Sequence, residues 1–380
     1  GQGISINKAT VLENFNKSVT LNPNSDLFIS DRGIYYLNKL KDTSRATIDF
    51  TKAVTLNPKA DVSFQYLGLI QYYRNNFKEA INYISKSIAI NKYNSTYYLQ
   101  RGIYYESIQA LPSALQDYDE AILNDLTNAK YYRYRANCNF KMKNYPDAYD
   151  DYGFATMLDP KDESSKKQLQ KLDPLLKEAY EKEGFTIQNG FQFFMNRADK
   201  QAKLSNGFHQ GRAVMNYYKC IQLEPKNPIP YNKAGNIFMV FKMNGPAEQF
   251  LRYAAYADGK KASYFEDLGT YYVSNKDYKS ALGCYDTAAL IGSTNADTYS
   301  MIGSIRFSFK EYEATVKAFS KSISLNPSLV EVRYMRALVY LDNLKNYQAA
   351  LTDLEVLVKA EPNNQDYLQA LKLCKEKLKK

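Results

Sequence analysis

The chain has 380 residues, 45% of them hydrophobic, enough to bury one large core or several smaller ones. No run of about 18 apolar residues occurs, so no membrane-spanning helix is expected. Net charge is +10, divided as +3 over residues 1–200 (26 basic, 23 acidic) and +7 over residues 201–380 (24 basic, 17 acidic). A nucleic-acid binder concentrates its charge on one face or stripe. Here the charge is spread along the chain, apart from the run Lys372, Lys375, Lys377, Lys379 and Lys380. A solvated basic surface is therefore the expected reading, and nucleic acid is not the expected partner. Cys138, Cys220, Cys284 and Cys374 lie far apart with no CxxC pair, which indicates neither a zinc site nor a disulfide framework. The beginning Gly1-Gln2-Gly3-Ile4 shows no secretory hydrophobic region and reads as a trimmed end. Location stays open between the cytoplasm and, if a leader was removed, the periplasm or cell envelope.

In chain order, the first predicted element is a helix over Asn7 to Leu21, ending in Asn22-Pro23. Proline disfavours the α conformation in the residue before it and lacks the donor that would continue a helix, so it acts as a stop. The stop recurs at Pro23, Pro58, Lys92, Leu126 and Pro160, then at Pro225, Gly259, Ser293, Pro327 and Pro362. The steps are 35, 34, 34, 34, then 65, then 34, 34, 34 and 35. A fixed period of this size in a helical composition predicts stacked helical hairpins. Counting from three residues after each stop, position 8 is small: Gly33, Gly68, Gly102, Ala136, Gly235, Gly269, Gly303, Ala337. Another small residue falls near position 20 in most repeats (Ala46, Ala80, Ala114, Ala148, Ala213, Ala247, Ala281, Ala349). Position 24 is large: Phe50, Ile84, Tyr118, Tyr152, Tyr217, Leu251, Tyr285, Phe319. Small residues let two helices approach closely, and the large residue fills their seam. Each half-repeat is at or below the ~12–15 residues at which isolated helices become marginal, so each hairpin must bury its apolar face on its neighbours.

A 34-residue period with large-4, small-8, aromatic-11, Ala-20, aromatic-24 and Pro-32 resembles the tetratricopeptide repeat (TPR) family over nearly the whole chain. The tryptophan often found at position 4 is replaced by Phe64, Tyr98, Tyr132, Tyr231, Phe265 and Tyr299. The resemblance implies an all-α solenoid, a right-handed superhelix of helical hairpins, in two arrays with capping helices. The first array, residues 1–183, holds a partial first repeat, hairpins at 26–59, 61–94, 95–128 and 129–162, and a lysine-rich capping helix at 164–183. The partial repeat lacks its first helix, which suggests upstream sequence. Residues 184–193 read as an irregular joint, packed through Phe191, Phe193 and Phe194. The second array, residues 194–380, holds hairpins at 194–227, 228–261, 262–295, 296–329 and 330–364, closed by a helix at 365–379.

No catalytic constellation is visible. The single histidine, His209, sits at the start of a predicted second helix and reads as a cap or surface residue, with no cysteine or serine fixed beside it. The carboxylates Asp117, Asp119, Glu120, Asp150 and Asp151 read as a solvated convex face balanced by lysines rather than a metal site. The tyrosine pairs, such as Tyr72-Tyr73 and Tyr104-Tyr105, read as core packing with one member at a groove edge, ahead of base stacking.

In the TPR family, positions 2, 5, 9, 12 and 13 of the first helices line a concave groove. The resemblance therefore implies a first-array groove of Val62, Gln65, Leu69, Tyr72, Tyr73, Thr96, Leu99, Ile103, Glu106, Lys130, Arg133, Asn137, Phe140 and Lys141. That groove is aromatic at one end and basic at the other. The second-array groove, of Ile229, Asn232, Asn236, Met239, Ser263, Glu266, Thr270, Asp297, Ser300, Ser304, Glu331, Tyr334 and Leu338, is polar and mildly acidic. A family dicarboxylate clamp is not expected, because only Arg133 and Asn137 approximate its first pair. The expected function is a non-enzymatic protein-interaction scaffold that holds a peptide, acidic for the first array, with no cofactor. The alternatives are polyanion binding through the basic second half, or a regulatory or adaptor part of a larger enzyme or envelope complex.

Overall fold

A computed structural model describes residues 8–204 and 207–379. Asn7, which the sequence reading placed at the start of the first helix, lies outside the described residues. Among these residues there are twenty-one α-helices and no strand. The first eleven helices are α1 (Lys8–Leu21), α2 (Asp26–Tyr35), α3 (Thr43–Leu56), α4 (Asp61–Tyr73), α5 (Phe77–Ile90), α6 (Ser95–Ser107), α7 (Leu111–Asn124), α8 (Ala129–Lys141), α9 (Tyr145–Leu158), α10 (Glu163–Lys182) and α11 (Gly190–Lys203). There follow α12 (Gln210–Leu223), α13 (Pro228–Val240), α14 (Asn244–Ala257), α15 (Ala262–Ser274), α16 (Tyr278–Ile291), α17 (Ala296–Ser308), α18 (Tyr312–Leu325), α19 (Val330–Leu338), α20 (Tyr347–Ala360) and α21 (Gln365–Leu378). None of the described helices is long and apolar enough to cross a membrane.

The helices pair as successive hairpins, each packed on the next, from α1 to α10 and again from α13 to α21. The seam is built as its residue pattern requires. A Cβ placed on Gly102 would lie 2.5 Å from Cε1 of Tyr118, so position 8 and position 24 of one hairpin fill the same space. Asparagine caps open several first helices: Asn94, Asn128, Asn227 and Asn295 each accept a hydrogen bond from the backbone N–H two residues on. The hairpin tips carry a signal the sequence reading missed. Lys41, Asn75, Gln109, Lys143, Lys242, Lys276, Lys310 and Lys345 all adopt left-handed backbone, with φ between 55° and 63°. The two 35-residue steps also have a cause. In those hairpins the first helix ends in a π-helical turn, Tyr36–Leu40 and Val339–Asn343, which absorbs the extra residue without shifting the seam.

The chain forms two compact units, Gly1–Lys219 and Cys220–Lys380. The stretch 184–193 lies inside the first unit. There α10 covers α9, with Leu172 buried against Ala136, Ala148 and Tyr152. After the turn at Gly184, Phe193 and Phe194 pack edge-on against Tyr180 at 5.8 and 5.3 Å. In the second unit α21 closes the last hairpin, burying Tyr367, Ala370 and Cys374 against Ala350, Leu354 and Leu357.

Candidate functional site

Two constructions in the first unit bear on function: the row of inner positions on α4, α6 and α8, and the ion cluster that joins α12 to α9.

The inner row is held from behind. The position-24 residue of a hairpin lies in the apolar seam, and where it is tyrosine its hydroxyl reaches through to the first helix. Tyr118 donates to Glu106 at 2.6 Å and Tyr152 to Asn137 at 2.5 Å. Glu106 is also paired with Lys141 of the next repeat. Tyr72 stacks on Tyr104 at 4.6 Å, while its neighbour Tyr73 is 71% exposed. Ile103 is half-buried and Lys130 is exposed. Leu99 is only 4% exposed and belongs to the core. Arg133 donates to Asp162 at 3.1 Å, so its charge is compensated within the chain. Of the three expected bases, Lys130 alone has no carboxylate partner among the described residues; its ammonium lies 5.9 Å from the Tyr134 ring centroid.

In the second unit, Asn232 and Asn236 both donate to Asp267, at 2.8 and 2.9 Å, and are committed within the fold. Glu266 accepts from Ser293 and from Thr298. Thr270 is exposed and its hydroxyl meets that of Tyr285 at 3.1 Å, the same seam-to-inner-face device. Ser300 and Ser304 are half-buried on α17. Tyr334 packs on Tyr367 of α21 with centroids 4.9 Å apart.

The carboxylates read as a solvated face prove otherwise: Asp117, Asp150 and Asp151 are buried, and arginines rather than surface lysines balance most of them. The residue before position 8 is arginine in four hairpins. Its Nε and Nη2 form a fork on the aspartate preceding position 24: Arg32 on Asp49, Arg101 on Asp117, Arg135 on Asp151 and Arg336 on Asp353. The remaining Nη1 reaches the preceding second helix, on Asn16, Ser85, Asp119 and Ser320 respectively. One side chain thus ties three helices together.

At the register break this device is extended. Asp151 accepts a second fork, from Arg212 of α12, at 2.8 and 2.6 Å. Arg212 also donates to Asp147 at 2.9 Å. Burial alone would raise the Asp151 carboxyl; the guanidiniums of Arg135 and Arg212 outweigh it and hold its pKa below the usual value. Beside it, Asp150 accepts from Asn216 and from Lys219, each at 2.7 Å. The Lys219 ammonium lies about 5 Å from the rings of Tyr149, Tyr180 and Phe194. His209 stands at the amino end of α12, its carbonyl accepting from the Ala213 N–H at 3.1 Å. Burial, then Arg212 and Arg135, push its pKa down to about 4. The four thiols are buried, and burial pushes Cys138 up to about 12.

A family model described as a tetratricopeptide repeat matches residues 296–329, the whole α17–α18 hairpin. A Dictyostelium discoideum protein named "Protein STIP1 homolog" is 29% identical over 114 residues, 30% of this chain. The match spans a fifth of that relative's length (20%). Among solved structures, that of YrrB, described as a TPR protein with an unusual peptide-binding site, is similar at 21% identity and a TM-score of 0.41. It covers 52% of this chain and 97% of its own. The Cut9–Hcn1 structure of the APC/C covers 91% of this chain and 63% of its own, at 16% identity and a TM-score of 0.37. One repeat of this family is a single 34-residue hairpin, and the same period and seam recur through both units. Residues 296–329 thus match the tetratricopeptide repeat family, and the rest of the chain resembles it in period and seam.

Proposed function

We propose that the protein is a non-enzymatic interaction scaffold whose first unit holds an extended peptide segment along the inner positions of α4, α6 and α8. The repeat-family match at residues 296–329 supports the interaction role. The observation that carries the site is the fixed polar row: Glu106 and Asn137 are held by Tyr118 and Tyr152 from within the hairpins. Polar groups set in place before binding lose little entropy when a peptide backbone engages them. Exposed Tyr73 offers aromatic area at one end, and Lys130 offers an unpaired cation at the other. The ligand is therefore a segment with an apolar residue for Tyr73 and an acidic residue for Lys130. Thr270, Ser300 and Ser304 form a second, uncharged row in the second unit, whereas Asn232, Asn236 and Glu266 are engaged internally.

Selection of a random peptide library against the full chain tests this reading. Enriched peptides that no longer bind Tyr73→Ala and Lys130→Ala variants support it. Peptides that bind those variants as well as the parent contradict it.

A further inference from the structure

A cleft of about 820 Å³ opens inside the first unit where the repeat register breaks. Four helices wall it: the first turn of α9, the second half of α10, the second half of α11 and the start of α12. Its volume is that of a ligand pocket, typically ~300–1,000 Å³. Every carboxylate lining it is already engaged: Asp147 by Arg197 and Arg212, Glu178 by Lys182, and Glu183 by Arg197. Lys143, at the tip before α9, and Lys200, on α11, line the same cleft. Both are exposed and have no carboxylate partner among the described residues. The first turn of α9 adds positive dipole potential, since Asn144 makes no side-chain capping bond there.

A buried glutamine stands in the same wall. Gln201 is 7% exposed, and its Oε1 accepts from Asn216 Nδ2 at 3.0 Å. The exposed side chains of Leu175 and Leu204 supply apolar surface beside the two lysines. His209 also lines the cleft; burial first, and then Arg212 and Arg135, lower its pKa.

We propose that this cleft binds a carboxylate-rich peptide segment, with Lys143 and Lys200 pairing with acidic side chains and Leu175 and Leu204 receiving an apolar residue between them. The site is separate from the inner row of α4, α6 and α8, and it stands or falls independently of the reading of that row.

The test uses the full chain and a fluorescein-labelled Glu-Leu-Glu-Leu-Glu peptide, followed by anisotropy at low and moderate salt. His209 is the sole histidine, so its imidazole NMR signal reports on the cleft directly. The expected result is saturable, salt-weakened binding that shifts the His209 signal, and that shift is retained in Tyr73→Ala. Affinity should fall about tenfold or more in the double variant Lys143→Glu/Lys200→Glu, whose positions make no ion pair in the folded chain. Absence of saturable binding at low salt would overturn the proposal, as would equal affinity in the double variant. Loss of binding in Tyr73→Ala with His209 unmoved would assign the peptide to the inner row and overturn it equally.

Discussion

The phenol of Tyr152 crosses its own hairpin and donates to Asn137 at 2.5 Å, linking the apolar seam to the inner face. The ring fills the space beside Ala136 and Ala148, and the hydroxyl holds the Asn137 side-chain amide. Tyr152→Phe keeps the ring and removes only the tether. Stability should fall by about 0.5–1.5 kcal/mol, the net worth of one hydrogen bond. Affinity for peptides selected on the inner row should fall while the far-UV circular dichroism stays unchanged. Unchanged affinity would separate the tether from binding.

Gly102 and Tyr118 occupy one close approach, so Gly102→Ala should overpack the seam. A loss of about 1–3 kcal/mol in urea unfolding is expected for an added methyl that forces its neighbours to shift. Gly245, near the start of α14, has open space where a Cβ would go, and Gly245→Ala serves as the control. Equal behaviour of the two variants would contradict the seam geometry.

Asp151 accepts four N–H groups from Arg135 and Arg212 in a buried setting. Asp151→Asn leaves two guanidiniums facing a neutral amide. Removing one partner of a buried ion pair costs about 3–5 kcal/mol. The variant should lower the urea midpoint markedly, and amide exchange should speed up in α9 and α12 before it does in α4. Retained protection of α12 would show that the cluster does not dock it.

The same surroundings set a pH dependence. His209 has its pKa pushed to about 4 from 6.5, so between those values the unfolded chain binds more protons than the folded one. Its contribution to stability is intact above pH 6.5 and declines as pH falls toward 4. The His209 NMR signal should titrate with a midpoint near 4, and His209→Gln should lose less stability than the parent over this window. A midpoint near 6.5 would mean that the imidazole is solvated.

Much of this architecture was legible in the residues, because a repeat writes each contact several times. The small–large pair at positions 8 and 24 is written in full in seven of the nine hairpins, and the two 35-residue steps coincide with the π-helical turns. The arginine forks were equally present, as Arg32-Gly33, Arg101-Gly102, Arg135-Ala136 and Arg336-Ala337 set against Asp49-Phe50, Asp117-Tyr118, Asp151-Tyr152 and Asp353-Leu354. They were overlooked because carboxylates on second helices were read as solvated. The docking of α12 on α9 could not be read at all. Arg212 and Asp151 are 61 residues apart, outside the period, and no repeated copy announces the contact. Groove chemistry was blurred for a related reason: Asp162 and Asp267 neutralise or occupy Arg133, Asn232 and Asn236 from positions the repeat pattern does not mark.

The central claim is that the inner row of the first unit is a peptide site. Calorimetry of one library-selected peptide against the parent chain and a Tyr73→Ala/Lys130→Ala double variant tests it most directly. Loss of both the aromatic contact and the free cation should weaken the dissociation constant about tenfold or more, as truncation of central interface anchors does. Equal dissociation constants for the two proteins would contradict the account.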